Sequence, residues 1–277
     1  MLVKLDSIKN RTLKRVLEHL FYIILLFVLI PGFLYFELCI VLPVVVENKS
    51  TQVIHMCVAF FLLLNIMGNM VYGMLTDSSI KGKQLSYVNN ADWTLCSVCE
   101  CFRPPRAWHC DICNICILKR DHHCTYLTSC VGYFNYRYFL LFTLDIFISM
   151  MYAFYYNVLF IAKFISWNHG LAILKFIFPL ASFVVDFGNE SLYILMFVIN
   201  ILVGFFSGFL VYYHLNNVLR GQTTPERKQR TKEYNRGLKR NIVEVFGTRW
   251  YLTWVLPFIN SPLPGNGVQW HIEDKVK

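Results

Sequence analysis

Cysteine and histidine residues are concentrated in one short part of the chain. Eight of the ten cysteines lie between Cys96 and Cys130, and three of the eight histidines lie among them. Such a cluster is typical of a disulfide framework in an oxidising compartment or of a zinc site in the reducing cytosol. Adjacent residues such as His109 and Cys110 point in different directions, so they should bind two different ions at sites that interleave along the chain.

The cluster contains enough ligands for two closed sites, because a tetrahedral structural zinc takes four Cys or His side chains. Three residues are then left over, namely Cys101, His122 and Cys124. A zinc domain that only binds a partner, or a RING-type ubiquitin ligase, would leave them without a role. The eight candidate ligands are Cys96, Cys99, His109, Cys110, Cys113, Cys116, His123 and Cys130.

The tetrapeptide from Asp121 to Cys124 combines a carboxylate, an imidazole and a thiol. A cysteine nucleophile needs a base that produces its thiolate, and a carboxylate can orient that base. His122 and Cys124 are two residues apart, so they can lie on the same side of an extended segment but not of a helix. The residues alone leave two interpretations open, a catalytic group or a spare metal ligand beside a surface histidine.

Long apolar runs predict that the chain crosses a membrane. Hydrophobic residues make up 56% of it, whereas soluble domains have about 45–50%, and a membrane helix needs about 20 apolar residues. The first run reaches Val46, but Pro31, Gly32 and Glu37 interrupt it and predict that its span ends near Phe36. The four predicted spans are Leu20–Phe36, Val53–Leu75, Tyr138–Ala162 and Leu192–Tyr213.

Positive charge is distributed unevenly among the segments outside the spans. The N-terminal tail, the middle loop and the C-terminal tail together carry 23 of the 26 Lys and Arg residues. Cytosolic segments of membrane proteins carry such an excess, so both termini and the cysteine-rich loop are predicted to be cytosolic. The net charge of +9 therefore indicates topology rather than a nucleic-acid partner, and the reducing cytosol favours zinc over disulfides. No small-residue cleavage site follows the first run, so we expect no cleavable signal peptide.

A fifth apolar stretch, Leu171–Phe187, is short and is broken by Lys175, Pro179 and Asp186. If it crossed the membrane, the positively charged C-terminal tail would lie on the opposite side from the other basic segments. We therefore expect an interfacial or re-entrant segment there.

The stretch from Cys96 to Phe139 resembles the cysteine-rich domain of the Asp-His-His-Cys (DHHC) protein S-acyltransferases. The two further motifs of that family that follow the fourth span also have counterparts. Thr223 to Glu226 fits its Thr-Thr-x-Glu motif, and Tyr234 to Gly247, centred on Asn241, is similar to its C-terminal packing motif. The matching features of the cysteine-rich stretch are Arg103-Pro104, Arg106, His109-Cys110, Cys113, Cys116, Asp121 to Cys124, Cys130 to Gly132, and Asn135 to Phe139.

This resemblance implies an all-α polytopic membrane protein of the endomembranes (ER, Golgi) or plasma membrane. Four transmembrane helices would flank a zinc-binding cysteine-rich domain in the cytosolic loop between helices 2 and 3. The implied segments are an N-terminal tail with helices 1 and 2 (1–76), the cysteine-rich domain (77–137), helices 3 and 4 (138–215) and a cytosolic C-terminal tail (216–277). One structural zinc would be held by Cys96, Cys99, His109 and Cys116, and the other by Cys110, Cys113, His123 and Cys130.

The resemblance also implies an activity. Cys124 would attack the thioester of acyl-CoA, His122 would act as base, Asp121 would orient His122, and Thr224 would contact Asp121. A palmitoyl group would pass to cytosolic cysteines of membrane-proximal proteins. The small side chain of Ser149 would leave room for stearoyl as well, unless the neighbouring Phe147 or Tyr152 closes the pocket. The implied partners are acyl-CoA, protein substrates and the lipid bilayer, with no nucleic acid.

One segment departs from the family pattern. After its nucleophile the family usually has Pro-Trp-Val-Asn-Asn, whereas this chain has Thr125 to Ser129, with Tyr126 as the aromatic residue. The departure favours the alternative of a non-catalytic zinc-domain membrane adaptor. The intact Asp121, His122 and Cys124 favour the enzyme.

Overall fold

The structure is a computed structural model of the 277-residue chain. It describes residues 2–82, 93–164, 170–186 and 188–270, without the side chains of residues 2–9, 170–172 and 174. Parts of the predicted cysteine-rich domain (83–92) and C-terminal tail (271–277) therefore lie outside the described residues, as does Phe187 at the end of the fifth apolar stretch.

Within the described ranges, four helices are long and apolar enough to cross a membrane. Each overlaps one of the predicted spans, and three extend beyond it at both ends, because the polar residues that flank an apolar run continue the helix. The second starts earlier than predicted but ends at Leu75 as predicted. The prediction of four candidate spans is confirmed. The helices extend over Asn10–Val45, Lys49–Leu75 (α4), Tyr136–Phe164 (α5) and Asn189–Leu219 (α8).

The first of these helices does not end near Phe36, so that part of the prediction is wrong. Its α-helical parts are joined by two wider π-helical turns. Such turns accommodate local irregularities without ending the helix. The parts in chain order are α1 (Leu2–Ile24), a π-turn (Leu25–Leu29), α2 (Ile30–Tyr35), a π-turn (Phe36–Val41) and α3 (Leu42–Val45).

The residues that predicted the early end are accommodated individually. Pro31 lies in the first turn of α2, where its missing N–H is tolerated. The carboxylate of Glu37 accepts a hydrogen bond of 2.7 Å from Asn157 Nδ2. A polar side chain in a membrane helix is stable when it has such a partner, so Glu37 does not force the helix to stop.

Two short helices, α6 (Gly170–Ile177) and α7 (Pro179–Val185), follow α5. Both are far shorter than the roughly 20 residues that a span requires. Lys175 Nζ lies 2.8 Å from Glu190 Oε2 and 3.1 Å from Asp186 Oδ2, so the polar residues of this stretch pair with one another. Its placement at or within the membrane surface stays a prediction.

The cysteine-rich segment contains β-structure, so the all-α assignment needs correction. It forms three antiparallel hairpins whose strands are only three residues long. Strands of that length are too short for an alternating apolar pattern to reveal them in a sequence. The pairs are β1 (Thr94–Cys96) with β2 (Cys101–Arg103), β3 (Trp108–Cys110) with β4 (Ile115–Ile117), and β5 (His122–Cys124) with β6 (Ser129–Val131).

The chain forms two compact units. The first contains the cysteine-rich hairpins, α9 (Thr224–Lys228) and α10 (Leu238–Phe246), and the second contains much of the long helices. The first unit comprises Met1–Ile24, Met67–Phe142 and Tyr212–Lys277, and the second comprises Leu25–Ile66 and Thr143–Val211.

Each unit has its own packed core. In the second, Phe36, Phe160 and Ile194 belong to a buried apolar cluster. Gly208 lets α8 approach α5 closely, since a Cβ there would lie 2.8 Å from the ring of Phe147. Small residues at such contacts are typical of membrane helices.

The core of the first unit lies around the cysteine-rich hairpins. Ala107, Leu118 and Tyr133 form its buried centre, and Trp270 packs against it. Gly73 at the end of α4 contacts the side chain of Leu127, where a Cβ would lie 3.0 Å away.

Candidate active site

Two groups of cysteines and histidines could each hold a metal ion. In each group the four ligand atoms lie within 4.8 Å of one another. The Sγ atoms of Cys99 and Cys116 are 3.7 Å apart, and those of Cys113 and Cys130 are 3.8 Å apart. Sulfur atoms at the corners of a tetrahedron around zinc are separated by roughly 3.8 Å, given Zn–S bonds of about 2.3 Å. The groups are Cys96, Cys99, His109 and Cys116, and Cys110, Cys113, His123 and Cys130.

Strand geometry explains why the two groups interleave. Successive side chains of a strand point to opposite faces. On β3, His109 therefore joins the first group while its neighbour Cys110 joins the second. Both histidines direct Nδ1 at the sulfurs, since His109 Nδ1 lies 3.3 Å from Cys99 Sγ and His123 Nδ1 lies 3.3 Å from Cys113 Sγ. The groups are those that the family resemblance implies.

The same alternation positions the remaining residues of the tetrapeptide. His123, at the centre of β5, belongs to the second metal group, so His122 and Cys124 lie together on the opposite face of the strand. His122 also interacts with the thiol of Cys124. Cys124 is buried, with 4% of its surface exposed. The extended segment that was predicted to bring His122 and Cys124 to the same side is therefore present as β5.

Asp121 is bound on both of its oxygens. Its Oδ2 accepts a hydrogen bond of 2.8 Å from His122 Nδ1 and another of 2.8 Å from Thr224 Oγ1. Its Oδ1 accepts one of 2.8 Å from the backbone N–H of Thr224. The expected contact between Thr224 and Asp121 is present, and the carboxylate holds the His122 ring in one orientation.

Electrostatics favour an ion pair in this group. Burial alone would lower the pKa of His122, but its hydrogen bond to Asp121 and its interaction with Cys124 outweigh that effect and raise the pKa to about 9. Burial would likewise raise the pKa of Asp121, yet the hydrogen bond and charge of His122 hold it below its usual range. An imidazolium beside a cysteine stabilises the thiolate, which is the nucleophilic form.

His214 is a member of this cluster that sequence reasoning missed. It is buried in α8, with its Nδ1 at 3.6 Å from Asp121 Oδ2 and 3.1 Å from the hydroxyl of Tyr136. The rings of His122 and His214 both contact the ring of Phe139, at centroid distances of 4.8 Å. A histidine directly after the apolar run Leu192–Tyr213 is the signal that would have identified it.

The short helix α9 presents Thr224 to Asp121. Thr223 caps this helix, since its hydroxyl accepts a hydrogen bond from the N–H of Glu226, and the Glu226 carboxylate accepts one from the N–H of Thr223. This reciprocal capping box is a stable way to begin a helix. Arg227 donates a hydrogen bond of 3.0 Å to Asn217 at the end of α8. The Thr-Thr-x-Glu motif is thus a helix start that carries one hydroxyl into the site.

A buried arginine fastens α9 to the cysteine-rich segment. The guanidinium of Arg106 binds both carboxylate oxygens of Glu226, at 2.7 and 2.8 Å, and lies 3.2 Å from Glu244. It also contacts the rings of Tyr234 and Trp270, at 4.3 and 4.4 Å from their centroids. The planar bidentate pairing with a carboxylate requires arginine rather than lysine.

Asn135 shows why an amide is needed in the segment before α5. It is fully buried, and its Nδ2 donates to the carbonyls of Gly73, at 3.0 Å, and Cys130, at 2.9 Å. Its Oδ1 accepts from the N–H of Gly132, at 2.8 Å, and from the hydroxyl of Ser78, at 3.1 Å. The side chain therefore uses its full hydrogen-bonding capacity and joins the end of α4 to the hairpin β5–β6.

The packing motif in the C-terminal tail also depends on one amide. Asn241 Nδ2 donates to the carbonyl of Leu219, at 2.9 Å, and to Asn235 Oδ1, at 2.8 Å. Its Oδ1 accepts from the N–H of Arg236, at 3.0 Å. These bonds attach α10 to the end of α8.

The segment that departs from the family pattern forms a 3₁₀ turn from Thr125 to Leu127. The ring of Tyr126 meets that of Phe21 edge to face, with centroids 5.8 Å apart. Thr128 closes the turn with φ 49° and ψ 21°, a left-handed conformation that is costly for a β-branched residue. Asparagine, which the family usually has there, tolerates that conformation better.

A buried Cys–His–Asp group beside two metal clusters, in a chain with four apolar helices, is typical of a membrane enzyme with a cysteine nucleophile. Comparison with known proteins agrees. The family model described as DHHC palmitoyltransferase matches residues 89–231, about half of the chain.

Similarity to individual proteins extends further. The probable palmitoyltransferase ZDHHC24 of Rattus norvegicus is 34% identical over 227 residues, which cover 78% of this chain and 78% of that protein. The protein of the same name from Danio rerio is 33% identical over 226 residues, covering 79% and 76%. Palmitoyltransferase ZDHHC9 of Homo sapiens is 48% identical over 67 residues, covering 24% and 18%. The chain belongs to the DHHC palmitoyltransferase family, and it is therefore a protein S-acyltransferase.

Proposed function

We propose that the protein moves a long-chain acyl group from acyl-CoA to cysteines of membrane-associated proteins through an acyl-Cys124 intermediate. The observation that carries this proposal is the hydrogen-bonded series from Thr224 through Asp121 to His122, which lies on the same face of β5 as Cys124. A thiol paired with an oriented imidazole is the arrangement that nucleophilic catalysis by cysteine requires.

In the first half-reaction the Cys124 thiolate attacks the carbonyl carbon of the acyl-CoA thioester. The bond from that carbon to the sulfur of coenzyme A breaks, and His122 supplies the proton that the departing thiolate takes up. In the second, His122 removes the proton from the substrate cysteine, whose sulfur attacks the acyl-Cys124 thioester and releases the Cys124 thiolate. The acyl group is transferred without net change in protons.

Asp121 and Thr224 act through His122 in this scheme. The buried carboxylate keeps Nδ1 of His122 protonated and directs the opposite side of the ring toward Cys124. Thr224 in turn prevents Asp121 from rotating, because it donates to both of the carboxylate oxygens.

The two metal groups would hold structural zinc, for which three cysteines and one histidine are a common donor set. The ligands would be Cys96, Cys99, His109 and Cys116 for one ion, and Cys110, Cys113, His123 and Cys130 for the other. Bound zinc would supply folding free energy to hairpins that have little apolar core of their own. The residues on the other face of β5 carry out the reaction.

We also propose that both termini and the cysteine-rich domain are cytosolic, in endomembranes or the plasma membrane. The support is the excess of Lys and Arg in these segments. The corresponding segments are 1–76, 77–137, 138–215 and 216–277. Palmitoyl-CoA, and stearoyl-CoA through the small Ser149, would be the donors, and membrane-proximal proteins with cytosolic cysteines the acceptors.

Labelling of the purified chain with radioactive palmitoyl-CoA tests the proposal. The chain should acquire label that hydroxylamine removes, and Cys124→Ser should acquire none from this reaction while keeping its metal. Cys101→Ser is the matched control, because Cys101 lies on β2 outside both metal groups, and it should label normally. An unlabelled but fully metallated wild-type chain would indicate a non-catalytic adaptor instead.

A further inference from the structure

Helix α1 contacts the cysteine-rich segment through one of its faces. Arg11 donates a hydrogen bond to the side chain of Asn114, Glu18 binds His123, and Phe21 contacts the ring of Tyr126. Positions 11, 18 and 21 lie on the same side of an α-helix, since seven and ten residues correspond to about two and three turns. The contacts reach the loop of the second metal group, one of its ligands and the turn that follows Cys124.

The contact of Glu18 is directed at the free ring nitrogen of a metal ligand. Glu18 Oε2 lies 2.9 Å from Nε2 of His123, whose Nδ1 faces the sulfurs of the second group. Both side chains are buried, with 5% of Glu18 and 7% of His123 exposed. A carboxylate that accepts the Nε2 proton leaves the lone pair of Nδ1 available to a metal and sets the plane of the ring.

Burying a carboxylate costs free energy unless the charge has a partner, so the burial of Glu18 needs an explanation. His123 is its ion-pair partner among the described residues, and the second oxygen, Oε1, has no hydrogen-bond partner among them. The free energy that burial costs is therefore offset chiefly at the ring of His123. A carboxylate used only to solubilise the start of a membrane helix would lie in water.

Among the residues that the structure describes, the first metal group has no equivalent contact. The carboxylate of Asp111 approaches its histidine, with Oδ1 3.9 Å from His109 Nε2, but that side chain is 98% exposed. This separation is too long for a hydrogen bond. The buried carboxylate thus accompanies the histidine on β5, the strand that also carries His122 and Cys124.

We propose that Glu18 is a positioning residue that fixes the ring of His123 in the second metal group, and through β5 the face that presents His122 and Cys124. The part about catalysis rests on the proposed function, whereas the part about the metal does not. Carboxylates that hydrogen-bond a metal-bound histidine commonly affect metal affinity or activity by about 10–100-fold. The N-terminal helix would then contribute to the site as well as to membrane anchoring.

Zinc release from the purified full-length chain provides the first test. Transfer of zinc to a chromogenic chelator is followed over time, and the phase that His109→Ala removes is assigned to the first group. Glu18→Ala should accelerate release from the second group about tenfold or more. Glu18→Gln keeps an acceptor oxygen without the charge, so its release rate should lie between those of wild type and Glu18→Ala.

The matched control is Asp111→Asn, which changes the exposed carboxylate near the other histidine and should alter neither phase. Equal acceleration of both phases in Glu18→Ala would indicate a general loss of folding, and an unchanged second phase would remove the contact from the site; either result overturns the proposal. Acyl labelling is measured in parallel and should decrease in the same order as zinc retention. If the wild-type chain does not label, the proposed function fails, while the zinc result still decides the role of Glu18 at the metal.

Discussion

Replacing Thr224 by valine removes one hydroxyl from the site with little change in side-chain shape. The Oγ1 atom of Thr224 donates a hydrogen bond of 2.8 Å to Asp121 Oδ2, the oxygen that also accepts from His122. The backbone N–H of Thr224 continues to hold Oδ1. The substitution therefore tests whether one hydrogen bond on the carboxylate matters for acylation.

The size of the effect follows from the burial of the acceptor. The side chain of Asp121 is 1% exposed, so water does not replace the missing donor. A hydrogen bond to a charged group contributes about 1.5–3 kcal/mol, which corresponds to about 10–150-fold in rate if it is lost entirely from the transition state. Since the N–H of Thr224 and His122 still bind the carboxylate, we expect a decrease of about tenfold in the rate of Cys124 acylation.

The assay is single-turnover labelling with palmitoyl-CoA, together with metal content and thermal stability in detergent. Thr224→Ser keeps the hydroxyl and should recover most of the rate. Thr223→Val is the neighbouring control, because it removes the helix cap rather than a donor to Asp121, and it should lower stability by about 1 kcal/mol. If Thr224→Val labels at the wild-type rate with normal metal content, Asp121 does not act through this contact.

Three further outcomes concern stability and metal binding. Cys110→Ala should reduce the zinc content, measured by elemental analysis, from about two ions per chain to about one. It should also lower the unfolding temperature, because it opens one closed site. An unchanged zinc content would contradict the assignment of two metal groups. Arg106→Lys loses the bidentate bond while keeping a charge, so calorimetry should show a loss of about 3 kcal/mol. Stability within experimental error of wild type would contradict the described network. Thr128→Asn relieves a left-handed β-branched residue and should stabilise the chain by about 1 kcal/mol in the same experiment, whereas destabilisation would show that the turn needs threonine.

Local spacing and composition were sufficient to predict the metal groups, the catalytic pair and the long helices. Two metal-ligand groups were predictable because His109 and Cys110 are adjacent and cannot bind one ion together, and strand alternation places their side chains in different groups. The proximity of His122 and Cys124 was predictable for the same reason. The four long helices followed from the length of apolar runs alone, since no other local structure crosses a bilayer over such a stretch.

Local patterns failed where a partner distant in sequence decides the structure. Pro31 and Glu37 are helix-ending signals by themselves, but the amide of Asn157, 120 residues away, satisfies the Glu37 carboxylate and the helix continues. The three hairpins were not predicted, because strands of three residues are too short to show an alternation of apolar and polar residues.

The roles of Glu18, Arg106 and His214 in orienting the site depended on tertiary structure. Glu18 reaches His123 across 105 positions, and Arg106 reaches Glu226 across 120. His214 lies against Asp121 although 93 positions separate their numbers in the sequence. The chemistry of ligands and nucleophile is visible in the chain because their spacing is local. The long-range hydrogen bonds that help to set their orientation are not visible in the chain, because local sequence does not determine which distant residues come into contact on folding.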